Sequence, residues 1–144
     1  MSQVARRASI ALMSVFALVL AACSGTTSNA TPAGPKVINV TMQEFSFQPS
    51  EISVRVGQPV KIVLANKGAV LHDFSSPDAR VEMTESHGAT HEMAGMDVKM
   101  HAAVEAGQIG TLEFKPTQAG TYTFNCTVAG HKDAGMVGKL VVTP

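Results

Sequence analysis

The residues best suited to chemistry in this chain are one cysteine, two histidines and one methionine. Cys126, His131 and Met136 follow the spacing Cys-x4-His-x4-Met, and His72 lies 54 residues before the cysteine. A thiolate, two imidazoles and a thioether are the ligands of a mononuclear blue-copper site, where cysteine and two histidines form a plane and methionine is a weak axial ligand. The pattern therefore predicts one type 1 copper per chain, with electron transfer as the function.

Each of these residues has a simpler interpretation when it is taken alone. Cys126 would more often be a small buried apolar residue, Met136 would fill a core, and His72 would be a structural or surface histidine. Cys126 has no cysteine partner once Cys23 is modified, and a lone exported thiol is an intermolecular partner, a nucleophile or a metal ligand. The histidines and the methionine that accompany it favour the metal ligand.

The first 22 residues have the features of a leader. Arg6 and Arg7 precede an apolar run over residues 8–20, which has the length of a signal peptide and is too short to span a bilayer comfortably. Residues 20–23, Leu-Ala-Ala-Cys, resemble a bacterial lipobox, which implies a lipoprotein signal peptide over residues 1–22 and acylation of Cys23. The alternative is ordinary cleavage after small residues, with the cysteine left as a free thiol.

Composition limits the rest of the chain to one domain. Without the two leader arginines, nine of the 11 basic residues remain against 11 acidic ones, and this net charge of −2 gives no sign of nucleic-acid binding. Residues 23–35 would be the lipidated cysteine and a flexible tether with a reach of about 20 Å. Residues 36–144 suffice for one domain. We therefore expect a monomeric, membrane-anchored lipoprotein that faces a periplasm or a cell surface.

From residue 36 onward, short apolar segments alternate with turn signals. Strands are predicted over residues 37–42, 52–56, 60–64, 70–74, 109–114, 122–126 and 138–143. Short strands without a long helical period predict an all-β, Greek-key β-sandwich. The polar residues 81–105 interrupt this pattern and are predicted to form a long Met/His-rich loop with some helix.

The C-terminal residues 121–142 resemble the corresponding half of cupredoxins. The wide Cys-x4-His-x4-Met spacing is most similar to the auracyanin, rusticyanin and sulfocyanin branches, and the similarity covers residues 36–144. The resemblance implies that His131 is the partly exposed ligand and the electron port. Four apolar residues would contact transient redox partners, unless they only cap the core: Val128, Ala129, Ala134 and Val137.

Asp73 follows the first histidine at a position where many family members have asparagine. An asparagine there joins the two ligand-bearing loops by hydrogen bonds, and Asp73 could join them in the same way. Because a carboxylate titrates, the reduction potential would then depend on pH.

The segment over residues 83–101 is rich in methionine and histidine. Its candidate auxiliary copper ligands are Met83, His87, His91, Met93, Met96, Met100 and His101. Thioethers and imidazoles favour copper ions, so a second copper site is one interpretation. The alternatives are methionine packing and an ordinary solvated loop.

These features favour a membrane-anchored electron carrier that cycles between Cu(II) and Cu(I). The alternative is a periplasmic or other extracytoplasmic protein for copper trafficking or resistance, which would use the Met/His-rich segment. An enzyme is disfavoured, because copper oxidases and nitrite reductases of related fold need further copper centres with histidines beside the cysteine. Asn125 and Thr127 flank Cys126 instead. A purely structural lipoprotein would leave the four ligands unexplained.

Overall fold

The computed structural model describes residues 34–88 and 100–144. The strands of these residues are, in chain order, β1 (Lys36–Gln43), β2 (Ser46–Gln48), β3 (Glu51–Arg55), β4 (Val60–Asn66), β5 (His72–Ser75), β6 (Val81–His87), β7 (His101–Val104), β8 (Ile109–Pro116), β9 (Gly120–Asn125) and β10 (Val137–Thr143). In these two ranges the chain forms no helix that is long and apolar enough to cross a bilayer. The predicted signal peptide, Cys23 and nearly all of the tether lie outside the described residues.

The strands form two five-stranded sheets that pack face to face. The strand order is β2-β1-β4-β8-β6 in one sheet and β3-β10-β9-β5-β7 in the other. The β1–β4 and β3–β10 pairs are parallel, whereas the remaining pairs are antiparallel. This arrangement confirms the predicted all-β sandwich.

Alternating side chains from both sheets fill the core. Val60, Ile62 and Leu64 of β4 are buried, and the residues between them are partly exposed, as the period of a strand requires. Phe74 of β5 stacks on Phe124 of β9 with ring centroids 4.2 Å apart, and Phe47 meets both rings edge-on. Because β5 and β9 lead to the predicted ligands, this aromatic contact fixes the two strands that position the site.

The prediction of a long loop with some helix over residues 81–105 is wrong at both ends of that range. Val81–His87 forms β6, which pairs with β8 through a bulge at Met83/Glu85, and His101–Val104 forms β7, which pairs with β5. The side chains of β6 are mostly exposed, so backbone pairing rather than apolar alternation defines that strand. Residues 89–99, with His91, Met93 and Met96, lie outside the described residues.

Candidate metal centre

Three strand ends converge at one end of the sandwich and carry the predicted ligands. Cys126 directly follows β9, Met136 directly precedes β10, and His72 is the first residue of β5. Asn125 of β9 pairs with both Val137 of β10 and Ser75 of β5, so these strands run side by side up to the site.

The loop between β9 and β10, residues 127–135, is held by its own backbone. Cys126 donates its N–H to the Met136 carbonyl at 3.1 Å, and Met136 donates to the His131 carbonyl at 2.9 Å. Gly135 has a φ of 102°, a left-handed conformation that glycine adopts without strain. These bonds close a short turn that returns the chain to the site at each predicted ligand.

Three donor atoms lie close to one another. The Nδ1 atoms of His72 and His131 are 3.2 Å apart, and Cys126 Sγ is 4.0 Å from the first and 3.5 Å from the second. Donors that lie 2.0 to 2.3 Å from a shared metal, as imidazole and thiolate lie from Zn²⁺, stand about 3.5 to 3.8 Å apart in a trigonal plane. The three observed distances scatter about that range, so these side chains fit a trigonal metal ion.

In the described residues, His72, Cys126 and His131 are the one group of three or more His, Cys, Asp or Glu side chains arranged to bind a metal. The Met136 side chain is fully buried in the core, and its backbone is bonded to two members of this group. A thiolate with two imidazoles and a thioether nearby is the donor chemistry of copper.

Burial sets the protonation of the two innermost donors. His72 and Cys126 are fully buried, whereas His131 is partly exposed. Desolvation lowers the pKa of His72, with a further contribution from His131, and desolvation raises the pKa of Cys126 despite hydrogen bonds from backbone N–H groups. The metal-free site therefore holds a neutral imidazole that is ready to bind and a thiol that must lose its proton when a metal enters.

Asp73 joins the two ligand-bearing segments. Its Oδ1 accepts the backbone N–H of Thr127 at 2.7 Å, and its Oδ2 accepts the Thr127 hydroxyl. The Asp73 N–H points at Cys126 Sγ from 3.5 Å. This is the tie expected from the sequence, and it fixes the thiolate relative to β5.

Two residues of the turn between β1 and β2 reach the histidines, and sequence patterns gave no signal for either. Glu44 Oε1 lies 3.9 Å from His72 Nε2, and it accepts the Ala69 N–H at 2.5 Å. That hydrogen bond is the main cause of the lowered pKa of Glu44. Phe45 contacts His131 edge-on with ring centroids 5.5 Å apart, and its φ of 63° is unusual for a residue other than glycine.

Asn66 is a third residue that sequence patterns missed. Its buried side-chain amide donates to the carbonyls of Val70 and Val104, each at 2.8 Å, and its oxygen accepts the Gly68 N–H at 2.9 Å. These bonds shape the loop that leads from β4 to His72, so Asn66 helps to position this histidine.

The described part of the Met/His-rich segment does not form a second group of donors. Met100 is fully buried in the core and Met83 packs against the core, which agrees with the packing alternative. His87 is exposed and lies 2.6 Å from Glu85, whereas His101 Nε2 lies 3.6 Å from Asp73 Oδ2.

Exposed apolar side chains lie in the loop that carries His131 and in neighbouring turns. Ala129, Ala134 and Val137 are exposed and Val128 is partly buried, so three of the four expected contact residues face solvent. Phe45 and Val70, which are 49% and 46% exposed, extend this surface.

The fold and the site define a copper-binding β-sandwich. The family model described as Cupredoxin-like domain matches residues 11–142, and the chain belongs to this family. One copper per chain is the cofactor that the family and the donor set support.

Three relatives illustrate the similarity. The copper-resistant cuproprotein CopI of Rubrivivax gelatinosus is 35% identical over 74% of this chain and 66% of its own length. The protein of the same name from Pseudomonas aeruginosa is 30% identical over 92% of this chain and 97% of its own. Auracyanin-A of Chloroflexus aurantiacus is 30% identical over 92% of this chain and 94% of its own. The solved structure of auracyanin A, described as a "blue" copper protein, aligns with 76% of this chain and all of its own at a TM-score of 0.56 and 26% identity.

Proposed function

We propose that this protein is a blue-copper electron carrier whose ligands are His72, Cys126, His131 and Met136. The observation that carries the proposal is the convergence of two imidazole nitrogens and one thiol sulfur within 4.8 Å of one another. The "blue" copper protein auracyanin A, which this chain resembles, supports the same assignment. Copper bound there would supply a one-electron couple between Cu(II) and Cu(I).

The chain's own residues suit that role because they resist rearrangement. His72 and Cys126 are buried at the ends of strands that the Phe74–Phe124 contact holds together, and Asp73 ties the two segments. A rigid donor set that is buried except for the partly exposed His131 would change little in shape between the two oxidation states of a bound copper, so an electron could enter and leave with little reorganisation. No bond is made or broken in a partner, and the protein is therefore not an enzyme in this proposal.

His131 is the electron port in this proposal. Its ring is partly exposed and contacts the exposed ring of Phe45, and Val137, at the start of β10 after the same loop, is exposed as well. A small apolar rim suits brief encounters with one-electron donor and acceptor proteins, whose interfaces are at the small end of the size range. The protein would meet these partners as a monomer.

The proposed location is outside the cytoplasm, at a membrane. The support is the lipobox-like sequence before Cys23 and the polar tether that follows it. Acyl chains on Cys23 would anchor the domain, whereas a single chain would bind only marginally.

Copper tolerance is a second candidate function. It is favoured by the similarity to two proteins named copper-resistant cuproproteins, one of which aligns over 97% of its length. In this function the protein would take up a copper ion and pass it to another carrier.

Repeated redox cycling in the presence of a Cu(I) chelator separates the two functions. The copper-loaded protein would be reduced with ascorbate and reoxidised with ferricyanide several times, with bound copper measured after each cycle. An electron carrier is expected to keep one copper per chain and to recover its spectrum. Loss of the copper to the chelator on the first reduction would contradict electron transport and favour copper delivery. Cys126→Ser provides the control for copper held elsewhere.

A further inference from the structure

The Nε2 atom of His72, the ring nitrogen that does not face the other donors, lacks a hydrogen-bond acceptor. Nε2 of His72 is buried and has no hydrogen-bond partner. Nδ1 of the same ring faces Cys126 and His131, so His72 would bind a metal through the Nδ1 lone pair and would keep the ring proton on Nε2. A metal-bound histidine normally directs this N–H at a carboxylate, a carbonyl or a water, which orients the ring.

Glu44 supplies a carboxylate in that direction. Its Oε1 lies 3.9 Å from His72 Nε2, and the bond from Ala69 N–H holds the same oxygen against the loop that precedes His72. Glu44 belongs to the other sheet's β1–β2 turn, so this approach depends on the packing of the two sheets.

Gly68 provides the space for this approach. A Cβ at position 68 would lie 2.6 Å from Glu44 Oε1 and 2.6 Å from His72 Nε2, which is closer than real Cβ contacts. A larger residue at position 68 would have to displace the Glu44 carboxylate, the imidazole or both. The absence of a side chain at this position is a second, independent feature of the same arrangement.

We propose that Glu44 is a positioning residue that orients His72 through Nε2 and makes the site favour Cu(II) over Cu(I). The inference rests on the proposed blue-copper function. When a redox partner delivers one electron, the charge of the metal falls by one and no proton needs to move. A fixed carboxylate beside a ligand stabilises the more positive state, so Glu44 lowers the reduction potential.

Glu44→Gln is the direct test, because it removes the charge while its amide oxygen can still accept the Ala69 N–H. We expect the ratio of Cu(I) to Cu(II) affinity to rise about tenfold, which raises the potential by about 59 mV for a one-electron couple. Glu44→Asp keeps the charge and should shift the potential less. Spectroelectrochemistry of the copper-loaded protein measures both variants.

Glu82→Gln is the matched control. Glu82 is exposed and pairs with Lys115 at the end of β8 that lies away from the site. The substitution Glu82→Gln therefore removes the same charge as Glu44→Gln, but far from the candidate copper site. At 0.15 M salt the Debye length is about 8 Å, and a distant surface charge is largely screened. The control should leave the potential unchanged.

The outcomes distinguish this inference from the function on which it rests. An intact thiolate-to-copper band in Glu44→Gln, with a potential no higher than that of Glu82→Gln, would overturn the role of Glu44 and leave the blue-copper function standing. Gly68→Ala is a second test of the inference. We expect its reduction potential to rise although the Glu44 charge is still present. An unchanged potential would count against the inference. Absence of the band in the unmodified protein would overturn both.

Discussion

Asp73 and Thr127, each one residue after a candidate ligand, are joined by two hydrogen bonds. The Asp73 carboxylate accepts both the backbone N–H and the hydroxyl of Thr127, 54 residues later in the chain. The pair thus clamps the start of β5 to the loop after β9. The relative positions of His72 and Cys126 depend on this clamp.

We predict that Asp73→Ala and Asp73→Asn differ in effect. Alanine removes both hydrogen bonds that Thr127 donates to the Asp73 carboxylate, which should lower the free energy of unfolding by about 1–3 kcal/mol and alter the visible copper spectrum. Asparagine can accept the N–H and donate to the hydroxyl, so it should retain most of the stability and the spectrum. Urea unfolding and absorption spectra measure both effects. A stability and a spectrum in Asp73→Ala equal to those of the unmodified protein would show that the clamp is unimportant.

Gly138 of β10 offers a test of core packing. A Cβ there would lie 2.2 Å from Phe124 Cζ and 2.6 Å from the Ser50 carbonyl oxygen, and the backbone oxygen cannot move easily. Gly138→Ala should therefore destabilise the fold by about 1–3 kcal/mol, as overpacked cores do. Gly34→Ala, where a Cβ meets nothing within 4 Å, is the control. Equal midpoints of urea unfolding for these two variants would contradict the packing described for Phe124.

A strand can be predicted from the sequence where one of its faces is buried and the other is exposed. In β4, Val60, Ile62 and Leu64 alternate with less buried residues, and the strand is predicted from that alternation. β6 has mostly exposed side chains and β2 has three residues, so neither carries a clear period. Their positions follow from backbone pairing with distant strands, which a local pattern does not contain.

The candidate site can be predicted from the sequence only in part, because some of its contacts join segments that are distant in the chain. Cys126, His131 and Met136 are recognisable because one short loop sets their spacing. Glu44 and Phe45 lie in a turn of the opposite sheet, and only the packing of the sandwich brings them to the histidines. Their residue types alone gave no reason to single them out.

Met100 separates packing from copper binding in the Met/His-rich segment. Because its side chain is fully buried in the core, Met100→Leu should cost less than about 1.5 kcal/mol and Met100→Ala about 2–5 kcal/mol. Neither change should alter the copper stoichiometry, which equilibrium dialysis measures. A loss of bound copper in Met100→Leu would show that this thioether is a ligand.

Phe45 tests the proposed electron port. Phe45→Ser removes the exposed ring that contacts His131, so electron exchange with a small redox protein should slow while the copper spectrum stays similar. Val37→Ser is the control, since Val37 is 57% exposed at the end of the sandwich away from the site. Stopped-flow kinetics compare the two. Equal rates would show that the Phe45 ring takes no part in electron exchange.

The most direct test of the copper site is a visible titration of residues 24–144 with Cu(II), beside Cys126→Ser. The buried thiol lies within 4.0 Å of both imidazole nitrogens, so a bound Cu(II) would contact the sulfur directly. We predict an intense thiolate-to-copper charge-transfer band that saturates at one equivalent and disappears in the variant. A chain that binds copper without this band, or a band that survives in Cys126→Ser, would contradict the blue-copper assignment.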